Sequence, residues 1–310
     1  MSIGVDSAAR VNLEAVCDSL FRDPRVRERL ARDYGFAAPT TPAALRKALV
    51  ASFEQVRVAE SDSAPAGTSD VFRAAVRALG SNSRSWWKFV RGEPELRERL
   101  LDYDPGAAAS AFAAGTLVTD DITRYLPGQT GSADARAIVK WAQLLADAQN
   151  YHAALLRLRD RLGHTKAEPS ELPLLTAAIL GSGASGPRGA EPPNGLSTWK
   201  APGMGPILAS EFLRNLHWSA FKPDRHIQRL LGRWFPDVLS ENRERAQVLS
   251  QILGTNRTDL IRFLEYSLLG IAVTPRTSSF TEVDNLVWAL GAYVERKGRE
   301  SARCYRVSVA

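Results

Sequence analysis

Apolar side chains recur every three or four positions along most of this chain of 310 residues, and this spacing is typical of amphipathic helices. The longest such pattern covers residues 133–162, where Ile138, Trp141, Leu145 and Leu155 lie on one stripe. The same spacing predicts further helices at 10–22, 43–58, 70–79, 84–91, 94–102, 105–114, 119–126, 169–180, 225–234, 243–252, 257–269 and 281–297. Only YRVSV, near the end of the chain, alternates like a strand, although a disordered tail is an equal alternative. The expected fold class is therefore all-α.

Two segments lack the apolar pattern, and we expect them to be loops. Residues 60–69 read ESDSAPAGTS, and residues 181–195 read GSGASGPRGAEPPNG. Both are rich in the glycine, proline and serine residues that punctuate regular structure. The second loop ends a few residues before a tight turn.

That turn is Pro202-Gly203-Met204-Gly205-Pro206. A helix cannot run through it, because Pro206 lacks an N–H group and glycines permit φ values that other residues resist. A new helix is predicted to start at about Pro206, since Ile207, Leu208, Phe212, Leu213 and Leu216 recur at helical spacing. The free N–H groups of the turn and of the first helical turn would form an anion site suited to one backbone phosphate.

Together with Asp224, nineteen residues after Gly205, the turn resembles the helix-hairpin-helix-GPD superfamily of DNA base-excision glycosylases. Gly203, Met204 and Gly205 match the hairpin of that family, Asp224 matches its catalytic aspartate, and residues 226–231 match the helix that follows. The resemblance covers roughly 35 of the 310 residues.

The resemblance implies a fold of two helical lobes with a DNA-binding cleft between them. It divides the chain into an N-terminal helical region at 1–130, a hairpin lobe at 131–222 and a C-terminal lobe at 223–310, and some of the first 130 residues are expected to join the C-terminal lobe. It also implies that the protein is a monomer and that it binds double-stranded DNA. Expected DNA contacts come from Gly203, Met204, Gly205, Ile207, Lys200, Lys222 and His226.

Strand-cleaving members of the family carry a lysine where this chain has Ile207, which cannot form a Schiff base. The resemblance therefore implies a monofunctional enzyme that leaves an abasic site. Cys17 and Cys304 are too few for the four-cysteine iron–sulfur loop found in many members, and the scattered histidines have no metal-ligand spacing. We expect no cofactor and no metal, apart from a monovalent cation that the hairpin could hold.

Asp224 is the expected catalytic residue. Cleavage of an N-glycosidic bond builds positive charge on the sugar, which a carboxylate can stabilise while it orients or deprotonates the attacking water. Pro223 and the predicted helix after Asp224 would fix the carboxylate at a helix start. The alternative is that Asp224 only caps that helix, a position where aspartate is favoured.

A glycosylase must extract its target base from the duplex. Trp218 and Trp199 are candidates for the base pocket or for the wedge that fills the gap, although large aromatic rings more often pack in the core. His226 is expected to contact phosphate or to face solvent.

The composition adds a mild preference for an acidic partner. A formal charge of +6 and a pI near 9.5 suit DNA, although solubility alone could account for this excess. The sequence contains no run of about eighteen apolar residues. Its first residues, MSIGVDSAARVNLEA, lack the basic start and apolar block of a signal peptide. A cytoplasmic protein without membrane contact is expected.

Three hypotheses follow for the function. The first is a DNA glycosylase that acts in base excision repair or in defence against phage DNA with modified bases. The second is a non-catalytic DNA-binding protein that uses the hairpin alone, and the third is a helical domain whose glycine turn is only a turn. The excised base stays open among alkylated purines, oxidised guanine, mispaired thymine, uracil and bulky phage bases.

Overall fold

The computed structural model describes residues 9–55, 66–83, 85–148, 150–187, 189–193, 196–295 and 302–308. Within these ranges the protein is mostly helical, with fifteen α-helices and one sheet of two strands. The expectation of a helical fold class is therefore confirmed.

The helices are named in chain order. They are α1 Leu13–Arg22, α2 Pro24–Tyr34, α3 Pro42–Gln55, α4 Thr68–Gly80, α5 Trp86–Arg99, α6 Pro105–Ala113, α7 Thr119–Thr123, α8 Gly131–Asp147, α9 Tyr151–Gly163, α10 Leu172–Ser182, α11 Pro206–Asn215, α12 Arg225–Trp234, α13 Pro236–Ile252, α14 Thr258–Val273 and α15 Phe280–Ala289. A π-helical turn, Leu290–Val294, continues α15.

The sheet pairs the two ends of the described chain. Strand β1, Ala9–Val11, runs antiparallel to β2, Arg306–Ser308, with Ala9 opposite Ser308. The strand expected in YRVSV is thus confirmed for β2, whereas the helix predicted at 10–22 begins only at Leu13. Asn12 ends the strand and caps α1, because its Oδ1 accepts the N–H of Ala15 at 3.1 Å.

The described residues form two compact units. The first contains residues 9–55, 219–248 and 261–308, and the second contains residues 66–218 and 249–260. In the first unit, α1 and α3 pack against α15, so helices from opposite ends of the sequence share one core. The boundaries at 130 and 222 that the resemblance implies stay a prediction.

The long helix predicted at 133–162 is two helices, α8 and α9. Ala148 leaves the helical conformation with φ −102° and ψ 67°, so the chain breaks there although the apolar stripe continues. The reverse error occurs at 84–91 and 94–102, which the structure joins in the single helix α5 with Pro94 inside it, while Leu101–Tyr103 form a separate 3₁₀ turn. Pro94 removes one backbone hydrogen bond, but buried Phe89 and Leu96 hold the helix on both sides of it.

Helix α2 was not predicted, and some predicted ends were misplaced. Thr68 and Ser69, predicted as loop, begin α4, and residues 181 and 182 end α10. Gly183 then takes φ +76°, the left-handed conformation that commonly terminates helices. Some predicted positions lie outside the described residues. In the loop predictions they are 60–65, 188, 194 and 195, and in the helix predictions they are 56–58, 84, 149, 296 and 297. The same holds for residue 309 of YRVSV.

Each unit has its own aromatic core. In the second unit, the ring of Trp141 lies 5.2 Å from that of Phe212 and 5.5 Å from that of Tyr151. In the first unit, Trp234 stacks on Tyr305 at 4.6 Å. None of the described helices has the length and apolar character needed to cross a bilayer.

Candidate functional site

The predicted hairpin exists and belongs to the second unit. It joins α10 to α11 with close backbone contacts, since the N–H of Ala201 donates to the carbonyl of Leu180 at 2.9 Å. A Cβ on Gly181 would lie 2.2 Å from the backbone nitrogen of Pro206, so the two helices approach through glycine. The indole N–H of Trp141, on α8, donates to the carbonyl of Pro202 at 3.0 Å. These contacts fix the turn on three helices, and α11 starts at Pro206 as predicted.

The two hairpin glycines have different roles. Gly203 has φ +71°, and a Cβ there would lie 2.4 Å from the Cβ of Ala137, so glycine is required on both grounds. Gly205 has φ −88° and ψ 176°, which any residue adopts, and a Cβ there would meet open space. The prediction that both glycines supply unusual φ values is therefore wrong for Gly205.

The exposed part of the hairpin is backbone. Gly203 and Gly205 are exposed, Ile207 is half-buried, and the side chain of Met204 is buried. Gly205 is the N-cap of α11 and no side chain caps the helix start, so the first N–H groups of α11 are not used by a cap. Of the predicted contacts here, Met204 can offer only its backbone.

Lys200 is exposed overall, but its ammonium group binds the backbone of the hairpin. Its Nζ donates to the carbonyl oxygens of Gly181, at 2.6 Å, and of Met204. Burial, assisted by the charge of Arg257, lowers the pKa of Lys200 below its usual range. The ammonium group thus satisfies two backbone carbonyl oxygens of the hairpin.

Asp224 lies in the first unit as the N-cap of α12, where the predicted helix is confirmed. Its Oδ1 accepts the N–H groups of His226, at 2.8 Å, and Ile227, at 3.1 Å. Among the residues that the structure describes, Oδ2 has no hydrogen-bond donor or cationic partner. The residue is half-buried beside exposed Arg225. The carboxylate is thus held in one orientation with one oxygen left to act on a ligand.

Lys222 and His226 flank Asp224 in the same unit. The backbone N–H of Lys222 donates to Oδ1 of Asp284 at 3.1 Å, which fixes the chain before the carboxylate. His226 is half-buried and packs edge-on to Trp288, with ring centres 6.3 Å apart. Burial lowers the pKa of His226, although the Asp224 carboxylate opposes that effect.

The two tryptophans proposed for the base pocket lie in the second unit. Trp199 is 2% exposed and its indole N–H donates to the carbonyl of Ala190 at 2.8 Å. Trp218 is 9% exposed, and the Arg159 guanidinium carbon lies 5.4 Å from its ring centre. In this structure Trp199 is a packing residue, and the ring of Trp218 is largely covered.

Sequence reasoning missed an aromatic cluster in the first unit. The rings of Tyr34 and Phe53 lie 5.0 Å apart, Phe53 and Trp288 lie 6.2 Å apart, and Trp288 and Tyr293 lie 6.3 Å apart. His226 extends this cluster to within two residues of Asp224. Its members come from α2, α3, α12, α15 and the π-helical turn after α15, so no local pattern in the sequence could have brought them together.

No group of three or more metal-binding side chains is found in the described part of the chain. Cys17 is buried, and burial raises the pKa of its thiol to about 12, whereas Cys304 is exposed.

Comparisons with known proteins give no relative. No protein-family model matches the chain, and neither the curated proteins nor the solved structures contain a significant match to it.

Proposed function

We propose that this protein is a monofunctional DNA glycosylase, with Asp224 as its catalytic residue. The observation that carries the proposal is the carboxylate of Asp224, fixed by two backbone hydrogen bonds through Oδ1 while Oδ2 is unengaged by the described residues. A residue that only caps a helix needs no more than Oδ1. A residue that also performs chemistry needs the second oxygen.

The geometry suits hydrolysis of an N-glycosidic bond. As the bond between base and sugar breaks, its electron pair leaves with the base and positive charge grows on the sugar. Oδ2 of Asp224 can stabilise that charge and accept a proton from the water that adds to the anomeric carbon. The products are a free base and an abasic site, because Ile207 offers no amine for strand cleavage.

The hairpin supplies the backbone contact in this proposal. Gly205 is exposed, its Cβ position is open, and the first turn of α11 has no side-chain cap. A phosphate could approach these N–H groups directly, which anchors DNA without reading bases. The same proposal includes two lobes with a DNA-binding cleft between them. It also includes double-stranded DNA as the partner and a monomeric protein.

An extruded base would need a surface to stack on. The aromatic cluster around Trp288 and His226 is in the same unit as Asp224 and contains half-buried rings. It is therefore a better candidate for the base wall than Trp199, whose ring is buried.

The proposal is tested with duplexes that each carry one damaged or modified base, incubated with the protein and then treated with alkali. We expect strand breaks at one or more of these bases, and loss of at least about a hundredfold in rate for Asp224→Asn. Unchanged activity of Asp224→Asn would exclude the catalytic assignment. Mass spectrometry of bases released from cellular and phage DNA separates repair from phage defence.

A second experiment tests the hairpin. Gly205→Val places a branched side chain in the open space where the phosphate would lie, without a φ penalty. We expect duplex affinity to fall by about tenfold or more for every sequence, with the thermal unfolding temperature lowered by only a few degrees through the poorer N-cap. Gly115→Val, at a left-handed turn outside the hairpin, is a poor control because it strains the backbone; Ser197→Val, at an exposed position in the preceding loop, is the matched control.

The alternative is a DNA-binding protein without catalysis. The observation that favours it is that both hydrogen bonds of Oδ1 are explained by capping alone. This alternative predicts duplex binding that weakens with salt and no release of any base.

A further inference from the structure

Helix α2 presents a row of arginines to solvent. Arg25, Arg29 and Arg32 are exposed and are spaced so that they lie within about 60° of one another around the helix axis. Glu28, also exposed, lies at the edge of the same face. A basic helix face of this kind is most often only solvated, so its spacing alone does not indicate a ligand.

The second observation is a buried carboxylate behind this face. The side chain of Asp33 is 2% exposed, and its oxygens accept the Nε–H of Arg29 at 3.3 Å and of Arg32 at 3.5 Å. A basic helix face that only contacts water does not require a buried carboxylate beneath its arginines. Burying a carboxylate is costly unless it is paired, so both guanidiniums are drawn to fixed positions at the surface.

Tyr293 strengthens this arrangement from the core. Its hydroxyl donates to Oδ2 of Asp33 at 3.2 Å, and the Arg29 guanidinium carbon lies 5.0 Å from the centre of its ring. Burial, with the charge of Asp33, raises the pKa of Tyr293 to about 12, so the hydroxyl keeps its proton as a donor. Arg29 is therefore held by an ion pair on one side and a ring face on the other.

We propose that this face of α2 is a second phosphate-binding surface for double-stranded DNA. Asp33 engages the Nε–H groups of Arg29 and Arg32, so no described residue accepts a hydrogen bond from their terminal N–H groups, which are the planar donors that suit a phosphate. Arg25 adds a third positive charge on the same face. Phosphate oxygens are the acceptors that suit such planar, pre-oriented donors, and a duplex offers them in a row.

The surface and Asp224 are connected within the first unit. The ring of Tyr293 contacts Trp288, and Trp288 contacts His226, two residues after Asp224. Packed rings of the same unit therefore link the α2 surface with the carboxylate. This inference rests on the proposed function for the identity of the partner as duplex DNA.

Binding of an undamaged fluorescent duplex, measured by anisotropy at several salt concentrations, tests the surface. Replacing Arg25, Arg29 and Arg32 by Gln should reduce the slope of log K against log salt by about 2 to 3, at about 0.9 for each lost phosphate contact. The matched control replaces three exposed arginines of α5, Arg91, Arg97 and Arg99, by Gln and removes the same charge. An equal reduction in both variants, or none in the α2 variant, overturns the inference.

A pair of charge-matched variants tests the orientation. Asp33→Asn and Glu28→Gln each remove one negative charge near the same face. Glu28→Gln should strengthen duplex binding slightly, whereas Asp33→Asn should weaken it about threefold to tenfold, because the guanidiniums lose their anchor. Equal strengthening in both variants would show that only net charge matters and would overturn the inference.

A third variant covers the case in which Asp33→Asn does not fold. Arg29→Lys with Arg32→Lys keeps both charges and loses the planar donors, so weaker binding is expected and unchanged binding overturns the inference. If the unaltered protein does not bind duplex at all, the proposed function fails as well. If the unaltered protein binds duplex and the α2 variants bind it equally well, the proposed function stands and this inference fails.

Discussion

At the scale of single residues, the two oxygens of the Asp224 carboxylate have different surroundings. Oδ1 is used by the backbone of α12, and Oδ2 is not used by any described residue. The two roles can therefore be separated by substitution. Asparagine keeps the capping oxygen and loses the charge, while alanine loses both.

We predict that Asp224→Ala lowers the free energy of unfolding by about 1 kcal/mol, the usual cost of a lost N-cap. Asp224→Asn should lower it by less than about 0.5 kcal/mol, because asparagine caps helices equally well. Chemical denaturation of both variants measures the difference. Equal losses would mean that the carboxylate stabilises the fold through its charge rather than through the two N–H groups.

Lys200 is the other residue whose role only the structure reveals. The sequence predicted it as a DNA contact, whereas its Nζ is engaged with the carbonyls of Gly181 and Met204 inside the hairpin. We predict that Lys200→Met lowers the free energy of unfolding by about 1 to 3 kcal/mol, since two carbonyls lose a charged donor. Lys88→Met, at an exposed position on α5, is the control and should change stability very little. A small effect of Lys200→Met would show that water replaces the ammonium group.

At the scale of elements, helices with a clear apolar stripe were predictable, and those defined by their ends were not. Helix α2 has few apolar residues, yet Asp23 caps it, Pro24 starts it and Gly35 ends it with φ +71°. Those end signals were present in the sequence and would have identified α2. The break between α8 and α9 had no such signal, because the apolar stripe runs across it.

The two glycines of the hairpin look alike in sequence, so their different backbone conformations could not be predicted from it either. We predict that Gly203→Ala lowers the free energy of unfolding by at least about 2 kcal/mol, because of its left-handed φ and the overlap with Ala137. Gly205→Ala should lower it by only about 1 kcal/mol or less, since its Cβ position is open and only the N-cap preference for glycine is lost. Thermal unfolding of the two variants measures the contrast, and a similar loss in both would argue against this turn geometry.

The start of α4 depends on a histidine of α9. Nδ1 of His152 accepts the N–H of Ala66 at 2.9 Å, and burial together with the charge of Arg159 lowers the pKa of His152, although Asp70 opposes the shift. Because the folded pKa lies below the unfolded value of 6.5, the unfolded chain binds more protons in the interval between them. Stability contributed by neutral His152 is therefore complete above that interval and is lost as the pH falls through it.

We predict that the free energy of unfolding decreases as the pH falls below about 6.5, and that His152→Gln makes this decrease smaller. Denaturation at a series of pH values measures both slopes. His226, whose pKa is also lowered by burial, accounts for part of what remains. An identical slope in the protein with and without His152 would contradict the prediction.

At the scale of the whole molecule, a formal charge of +6 gives only a general attraction to DNA, and the contacts must supply the rest. One phosphate at the hairpin and three arginines on α2 predict a slope of about −3 to −4 for log K against log salt. Titrations between low and physiological salt measure this value. A slope near zero would exclude the phosphate contacts as a group.

The sequence predicted the helical class, the turn and the capped carboxylate, because each depends on patterns among residues that are close together in the sequence. The exact bounds of the two units were not predictable, since the first unit combines residues 9–55 with two later stretches of chain. The sequence also did not predict the cluster of Tyr34, Phe53, Trp288 and Tyr293, or the support of Arg29 by Asp33 and Tyr293. These arrangements depend on tertiary packing between segments that are remote in sequence.

The pairing of β1 with β2 also constrains how the protein is made. The hydroxyl of Tyr305 donates to Ser19, 286 residues earlier, so Ser19 finds this partner only after the whole intervening stretch of chain has been synthesised. At about 5 to 20 residues per second, the N-terminal helices would wait on the order of tens of seconds for β2. During that interval the apolar face of α1 has no complete core, and a nascent chain of this protein should engage chaperones through that face.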